Sequence, residues 1–225
     1  MFGSNRQLVG RLGHAEAVTI YPLIHPTQGD VVELILADHR LFEDLLRECR
    51  RNDRDREAAR AALSELLVAH AEAEETEVYP TLRQRRAISS HKEEHGEEEH
   101  AEILEALLAF LDAKGTTTKK YDDAVKELAK VVGHHSNEEE LDILNPARDD
   151  VSVATRHDLG AAWAAKRNAL LRAGCASRAQ VAALLAEAVR EKVLPPADVR
   201  EEMDAIEVQA KEQADALGEA AKADE

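Results

Sequence analysis

Between residues 30 and 145, apolar positions recur at the alternating three- and four-residue step of helices with one buried face. Four such segments stand out. The first opens at Asp30-Val31-Val32-Glu33, an acidic cap followed three residues later by glutamate in a capping-box pattern, and runs to about Arg51. Asn52-Asp53-Arg54-Asp55 turns into the second, which reaches Tyr79-Pro80 or a turn beyond. Residues 84 to 90 lead into the third, which ends near Lys114. Gly115-Thr116-Thr117-Thr118 then stops one helix and starts the fourth, which ends about Asn145-Pro146. No long alternating β-branched run and no Asn-Gly or Asp-Gly turn is present. The pattern predicts an all-α, antiparallel up-down four-helix bundle over residues 29–150.

Two regions flank it. Residues 1–28 contain Pro22, Pro26 and several glycines, which predicts a short helix and an irregular lead-in. Residues 151–225 are rich in Ala, Glu and Arg. Ser177-Arg178-Ala179-Gln180 resembles a capping box, and Leu194-Pro195-Pro196 separates two further helices. This C-terminal helical extension is expected to pack on the bundle or on a second subunit, which would make a homo-oligomer.

Composition narrows the function. Charged residues reach 33% and aromatics only 3%, a mixture that favours helices. The net charge of −16 argues against a nucleic-acid partner, since a phosphate backbone needs a basic face. The one basic run, Arg83-Gln84-Arg85-Arg86, is short. No stretch is apolar enough to span a membrane, and the N-terminus lacks a secretory apolar core, so a cytoplasmic protein is expected. Cys49 and Cys175 lack CxxC spacing and are expected to be reduced thiols of no special role.

The candidate chemistry lies in the ten histidines. Five have a glutamate four residues on, but in so acidic a chain some such pairs arise from composition alone. Alignment with the apolar stripes is more selective. Val32, Ile35, His39, Phe42 and Leu46 form one stripe; Leu63, Leu67, His70 and Glu74 a second; His100, Leu104, Leu107 and Leu111 a third. The fourth is Tyr121, Val125, Leu128, Val132, His135 and Glu139, whereas His134 follows the polar line Val131, Glu127 and Lys120. His91 and His95 look outward. Neighbours on a helix point about 100° apart, so His134, Glu138 and Glu140 are expected to be dispensable.

Antiparallel residues are level when they lie equally far from their turn. Residues 39 and 70 have their midpoint at 54.5, 70 and 100 at 85, and 100 and 135 at 117.5, each inside a connection. Four histidines, one per helix, therefore share a layer, with Glu74 and Glu139 one turn away on alternate helices. Burying them has no apolar explanation. Neutral imidazole with carboxylate suits a transition metal, iron being a natural occupant, and glutamates able to bridge argue for two ions.

The motifs ADHRLFEDLL, AHAEAEETEVYP, EEHAEILEALL and HHSNEEELDIL resemble the hemerythrin-like, or HHE cation-binding, family. That resemblance implies a di-iron four-helix bundle whose metal ligands are His39, His70, Glu74, His100, His135 and Glu139, holding two iron ions in an oxo- or hydroxo-bridged centre. Oxygen-carrying hemerythrins have a further histidine one turn before the third-helix ligand, and this chain has Gly96 there. The resemblance thus implies a position open to O2, NO or peroxide, with Glu97 a candidate to fill it. It favours sensing or redox chemistry, including peroxidase-like or NO-reducing turnover. An iron-handling role in sensing, storage or iron-sulfur repair is the alternative, and a helical interaction protein with a structural metal is the third.

Overall fold

The computed structural model describes Tyr21, Leu23 and residues 27–194; most of the lead-in and the helix expected after Pro196 lie outside the described residues. The first rod is α1 (Val31–Arg50), capped by the Asp30 side chain on the Val32 amide. Glu33 pairs with Arg148 across the bundle at 2.6 Å instead of closing a capping box. The second rod is composite: α2 (Arg56–Ala73), one wide π turn (Glu74–Val78) and α3 (Tyr79–Gln84). The third is α4 (Ser90–Leu111), capped by Ser89. The fourth repeats the second, with α5 (Lys119–Glu139), a π turn (Glu140–Leu144) and α6 (Asn145–Asp150).

Pro80 and Pro146 account for the two wide turns. A helical proline has no N–H to give and its ring crowds the carbonyl four residues back. Just before each proline the ladder lengthens: the Tyr79 amide bonds the Glu74 carbonyl, and the Asn145 amide bonds the Glu140 carbonyl. Each wide turn adds a residue directly after an inward glutamate, the kind of place where π turns are frequently found.

The core is two apolar clusters. One gathers Phe42, Leu66, Phe110, Tyr121 and Leu128; the other Ile35, Val78, Tyr79, Leu144 and Trp163. His39, His70, Glu74, His100, His135 and Glu139 are all buried, and the side chains of Phe42 and Tyr79, one from each cluster, lie against their rings. The third stripe differs from its expected form. Ile103 and Phe110 are buried with His100 and Leu107, while Leu104 and Leu111 are only partly covered. That side of α4 faces α8 across a cavity lined by Leu104 and Leu184, so it is covered only in part.

Beyond residue 150 the chain returns to the bundle. Helix α7 (Val153–Ala173) lies on α1 and α2, and α8 (Arg178–Glu191), which carries the expected capping box of Ser177 and Gln180, lies on α4. Gly160 makes the first contact possible: a Cβ there would sit 2.1 Å from the Gly29 carbonyl oxygen. No described helix is long and apolar enough to cross a membrane.

Candidate metal centre

The four inward imidazoles meet as the turn arithmetic requires. Ring centroids are 5.3 Å apart for His39 and His70, 4.6 Å for His100 and His135, and 6.2 Å for His39 and His135. Glu74 and Glu139 lie between them. Glu74 places one oxygen 3.0 Å from His70 Nε2 and the other 3.3 Å from His100 Nε2. Glu139 Oε2 lies 3.1 Å from His39 Nε2 and 3.8 Å from His135 Nε2. Each carboxylate thus spans imidazoles from two helices. Donor atoms of His39, His70, His135 and Glu139 fall within 4.8 Å of one another, as do those of Glu74, His100 and His135.

The rings are held from behind by carboxylates that the helical stripes did not reveal. Glu140 lies 3.1 Å from His39 Nδ1, Asp38 3.2 Å from His70 Nδ1, Glu75 2.7 Å from His100 Nδ1 and Glu99 3.2 Å from His135 Nδ1. The pattern repeats between halves. Asp38 precedes His39 and backs His70, as Glu99 precedes His100 and backs His135. Glu75 follows Glu74 and backs His100, as Glu140 follows Glu139 and backs His39. Glu140, expected to be dispensable, instead backs a ring: the residue after Glu139, rotated about 100°, reaches His39 on the first helix while staying half exposed. A sequence signal existed: an acid sits beside each of four inward residues. His134 is 60% exposed and only its Nε2 comes near the site, 3.6 Å from Glu99.

With each Nδ1 engaged by a carboxylate, each Nε2 is left as the atom that faces the layer. All four Nε2 atoms are buried without a hydrogen bond, as are both oxygens of Glu74 and Oε2 of Glu139. Such unsatisfied buried groups cost about 1–3 kcal/mol each. Seven in one layer are the mark of a missing partner that accepts lone pairs, and a cation is such a partner.

A model of the hemerythrin HHE cation-binding domain matches residues 30–147. The chain belongs to that family. No curated protein and no solved structure matches it. The buried histidines and glutamates fit the metal site of an HHE domain.

The position of the histidine that oxygen carriers add is filled here from another helix. A Cβ on Gly96 would lie 3.1 Å from Cε2 of Tyr79, whose ring stacks on His100 at 5.8 Å and whose hydroxyl donates to Glu139 Oε1 at 2.9 Å. Tyr79 was legible only as a helix end. Glu97 points elsewhere, into an outer cavity beside Glu72 and Glu75.

The protonation of this layer follows from burial and crowding. Burial alone would lower His39, but Glu139 and Glu140 raise it to about 10. His70 and His100 are raised against burial by Glu74 with Asp38, and by Glu74 with Glu75. His135 is lowered, by burial and then by the neighbouring His100. Burial and then Glu139 push the Tyr79 hydroxyl well above its usual value of 10.

Proposed function

We propose that the HHE domain holds two iron ions between His39, His70, Glu74, His100, His135 and Glu139, and uses them to bind O2, NO or peroxide in cytoplasmic sensing or redox chemistry. One observation carries this reading: buried Nε2 and carboxylate oxygens face one another without hydrogen bonds, while a separate carboxylate backs every ring. Two glutamates that each span a pair of helices suit two ions, and the nitrogen and oxygen donor set suits iron. When bound, the ions would supply a Lewis-acidic, redox-active centre.

The chain's own groups prepare that centre. Asp38, Glu75, Glu99 and Glu140 fix ring orientation and raise the basicity of each Nε2. Tyr79 keeps its proton on the hydroxyl beside Glu139 and holds that carboxylate in place. A slot of about 10 Å³, lined by Lys92, His95, Gly96, Glu99 and Glu139, reaches the layer between α4 and α5. It has room for about one water-sized molecule.

The test is the absorption spectrum of the iron-loaded protein, reduced with dithionite and then exposed separately to O2, NO and peroxide. Iron-dependent visible bands should change with at least one of them and be missing in His100→Ala. Iron-loaded protein that responds to none would contradict the reading.

Protons and metal compete for the same rings. In metal-free protein the raised pKa of His39, His70 and His100 makes their protonated forms stabilising. That contribution is complete below about 6.5, the ordinary histidine value, and is lost as pH rises through the folded values, about 10 for His39. His135, lowered, acts in the opposite sense, stabilising above about 6.5. His135 is already neutral in the folded state over this interval, so the loss at the other rings sets the sign, and the metal-free protein should melt at a lower temperature at pH ~9 than at pH ~6.5. Metal binding needs neutral rings and strengthens over the same interval. The gap in Tm between loaded and chelator-treated protein should therefore widen from pH ~6.5 to ~9, and metal should be lost below about 6. A gap independent of pH would count against histidine ligation.

One observation favours iron handling as a second reading. A cavity of about 460 Å³ between α4 and α8 is lined by Glu72, Glu75, Glu97, Glu187 and Glu191, and Glu75 joins it to His100. Burial and then Glu75 raise the pKa of both Glu72 and Glu97, as crowded carboxylates require. If this cavity conducts cations, Glu187→Gln/Glu191→Gln should slow iron uptake without changing the final iron content.

A further inference from the structure

The two halves of the site share one arrangement of backing carboxylates but differ in what holds those carboxylates. In the second half Glu99, behind His135, is approached among the described residues by the exposed His134 and by no guanidinium. In the first half Asp38, behind His70, is gripped by Arg167 of α7. The guanidinium is fully buried and forked: Nε donates to Asp38 Oδ2 at 2.5 Å and Nη2 to Oδ1 at 2.8 Å. Nη1 donates to the Leu23 carbonyl at 2.9 Å and to Asn168 Oδ1 at 3.1 Å. Trp163, one turn before Arg167, stands edge-on to the His70 ring at 5.8 Å. Arg167 lies twenty residues past residue 147, where the family match ends.

We infer that Arg167 is a positioning residue for the metal centre: it locks the plane of the Asp38 carboxylate, and through Asp38 the His70 ring, so that His70 Nε2 is presented at a fixed angle. A forked guanidinium on a carboxylate removes the rotation that a lone Asp38 would keep, and partners of this outer kind set ligand orientation and basicity. Lysine would supply the charge without the fork. The segment after the bundle thereby completes the site it covers. The two ends of the centre are consequently unlike: His70 is braced from α7, whereas His135 is braced only from within the bundle.

This inference rests on the proposal that His70 is a metal ligand, and the experiment separates the two. The probe is Co(II) alone, with affinity read by competition against a chelator and geometry read from the visible d–d bands. Wild type should bind Co(II) and His70→Ala should bind it far more weakly; if wild type binds none, the metal reading itself fails. Arg167→Met should weaken binding by about 10- to 100-fold and alter the bands, with Arg167→Lys recovering only part of the loss. An Asp38→Asn side chain has a single acceptor oxygen, so the fork is already broken there, and Arg167→Met should change affinity by no more than about twofold, the scatter of independent substitutions. Arg167→Met takes the buried guanidinium away from the buried Asp38 carboxylate and risks unfolding. In that event Arg167→Lys and the Asp38→Asn pair decide. Wild-type affinity and bands in Arg167→Lys, or a full further loss in the Asp38→Asn background, would overturn the inference while leaving the metal site standing.

Discussion

Alanine at position 135 should strip the metal centre, whereas alanine at the adjacent His134 should leave it nearly intact. His135 is buried, continues the Tyr121, Val125, Leu128, Val132 stripe and lies level with His100. His134 is mostly exposed and approaches only Glu99. Loss of an outer partner typically costs about 10–100-fold in metal affinity, so loss of a ligand should exceed that, while His134→Ala stays within about twofold. The three glutamates that follow should be graded. Glu139→Ala should behave like His135→Ala, Glu138→Ala like wild type, and Glu140→Ala should fall between, because Glu140 backs His39. The measurement is metal content and affinity for the five variants purified together. Metal lost from His134→Ala but kept by His135→Ala would place the register of α5 off by one residue.

Gly96→His, the change that would copy the oxygen carriers, should instead damage the protein. The new Cβ would press on the Tyr79 ring at 3.1 Å, and that ring cannot slide freely because its hydroxyl is tied to Glu139 and its face lies on His100. Overpacking of this kind costs about 1–3 kcal/mol, against a gain of only about 0.3–0.5 kcal/mol from replacing a helical glycine by histidine. The cost should reach the metal as well, since Tyr79 positions Glu139. In a Tyr79→Leu background the conflict is removed, and Gly96→His should then cost little or stabilise. Urea denaturation across the four proteins of this cycle measures the coupling. Equal effects of Gly96→His in both backgrounds would show that Tyr79 does not occupy the vacated place.

Most of the fold was legible because the turns are short. Antiparallel helices joined by a few residues leave little freedom in level, so the numbering of His39, His70, His100 and His135 could be folded at its midpoints into one layer. The stripes of α1, α2 and α5 held residue by residue. That of α4 slipped at Leu104 and Leu111 because α8 covers a second face, and no pattern within α4 reveals a helix that arrives eighty residues later. The backing carboxylates left only a weak signal, an acid beside each of four inward residues. A single-helix projection points Asp38, Glu75, Glu99 and Glu140 away from the inward stripe; in the bundle each reaches a histidine of another helix, with Glu75 and Glu140 still partly exposed. Arg167 was hidden in an Ala-rich segment with few residues of ligand type, and Tyr79 by the Pro80 that follows it and that marked only a helix end.

The number and kind of ions in the layer decide whether this is a di-iron centre. Protein purified from iron-replete cells should carry two iron atoms per chain by elemental analysis, and both should fall together in Glu74→Ala and Glu139→Ala, since each glutamate serves imidazoles from two helices. A single ion per chain, or stoichiometric zinc in place of iron under the same conditions, would contradict it.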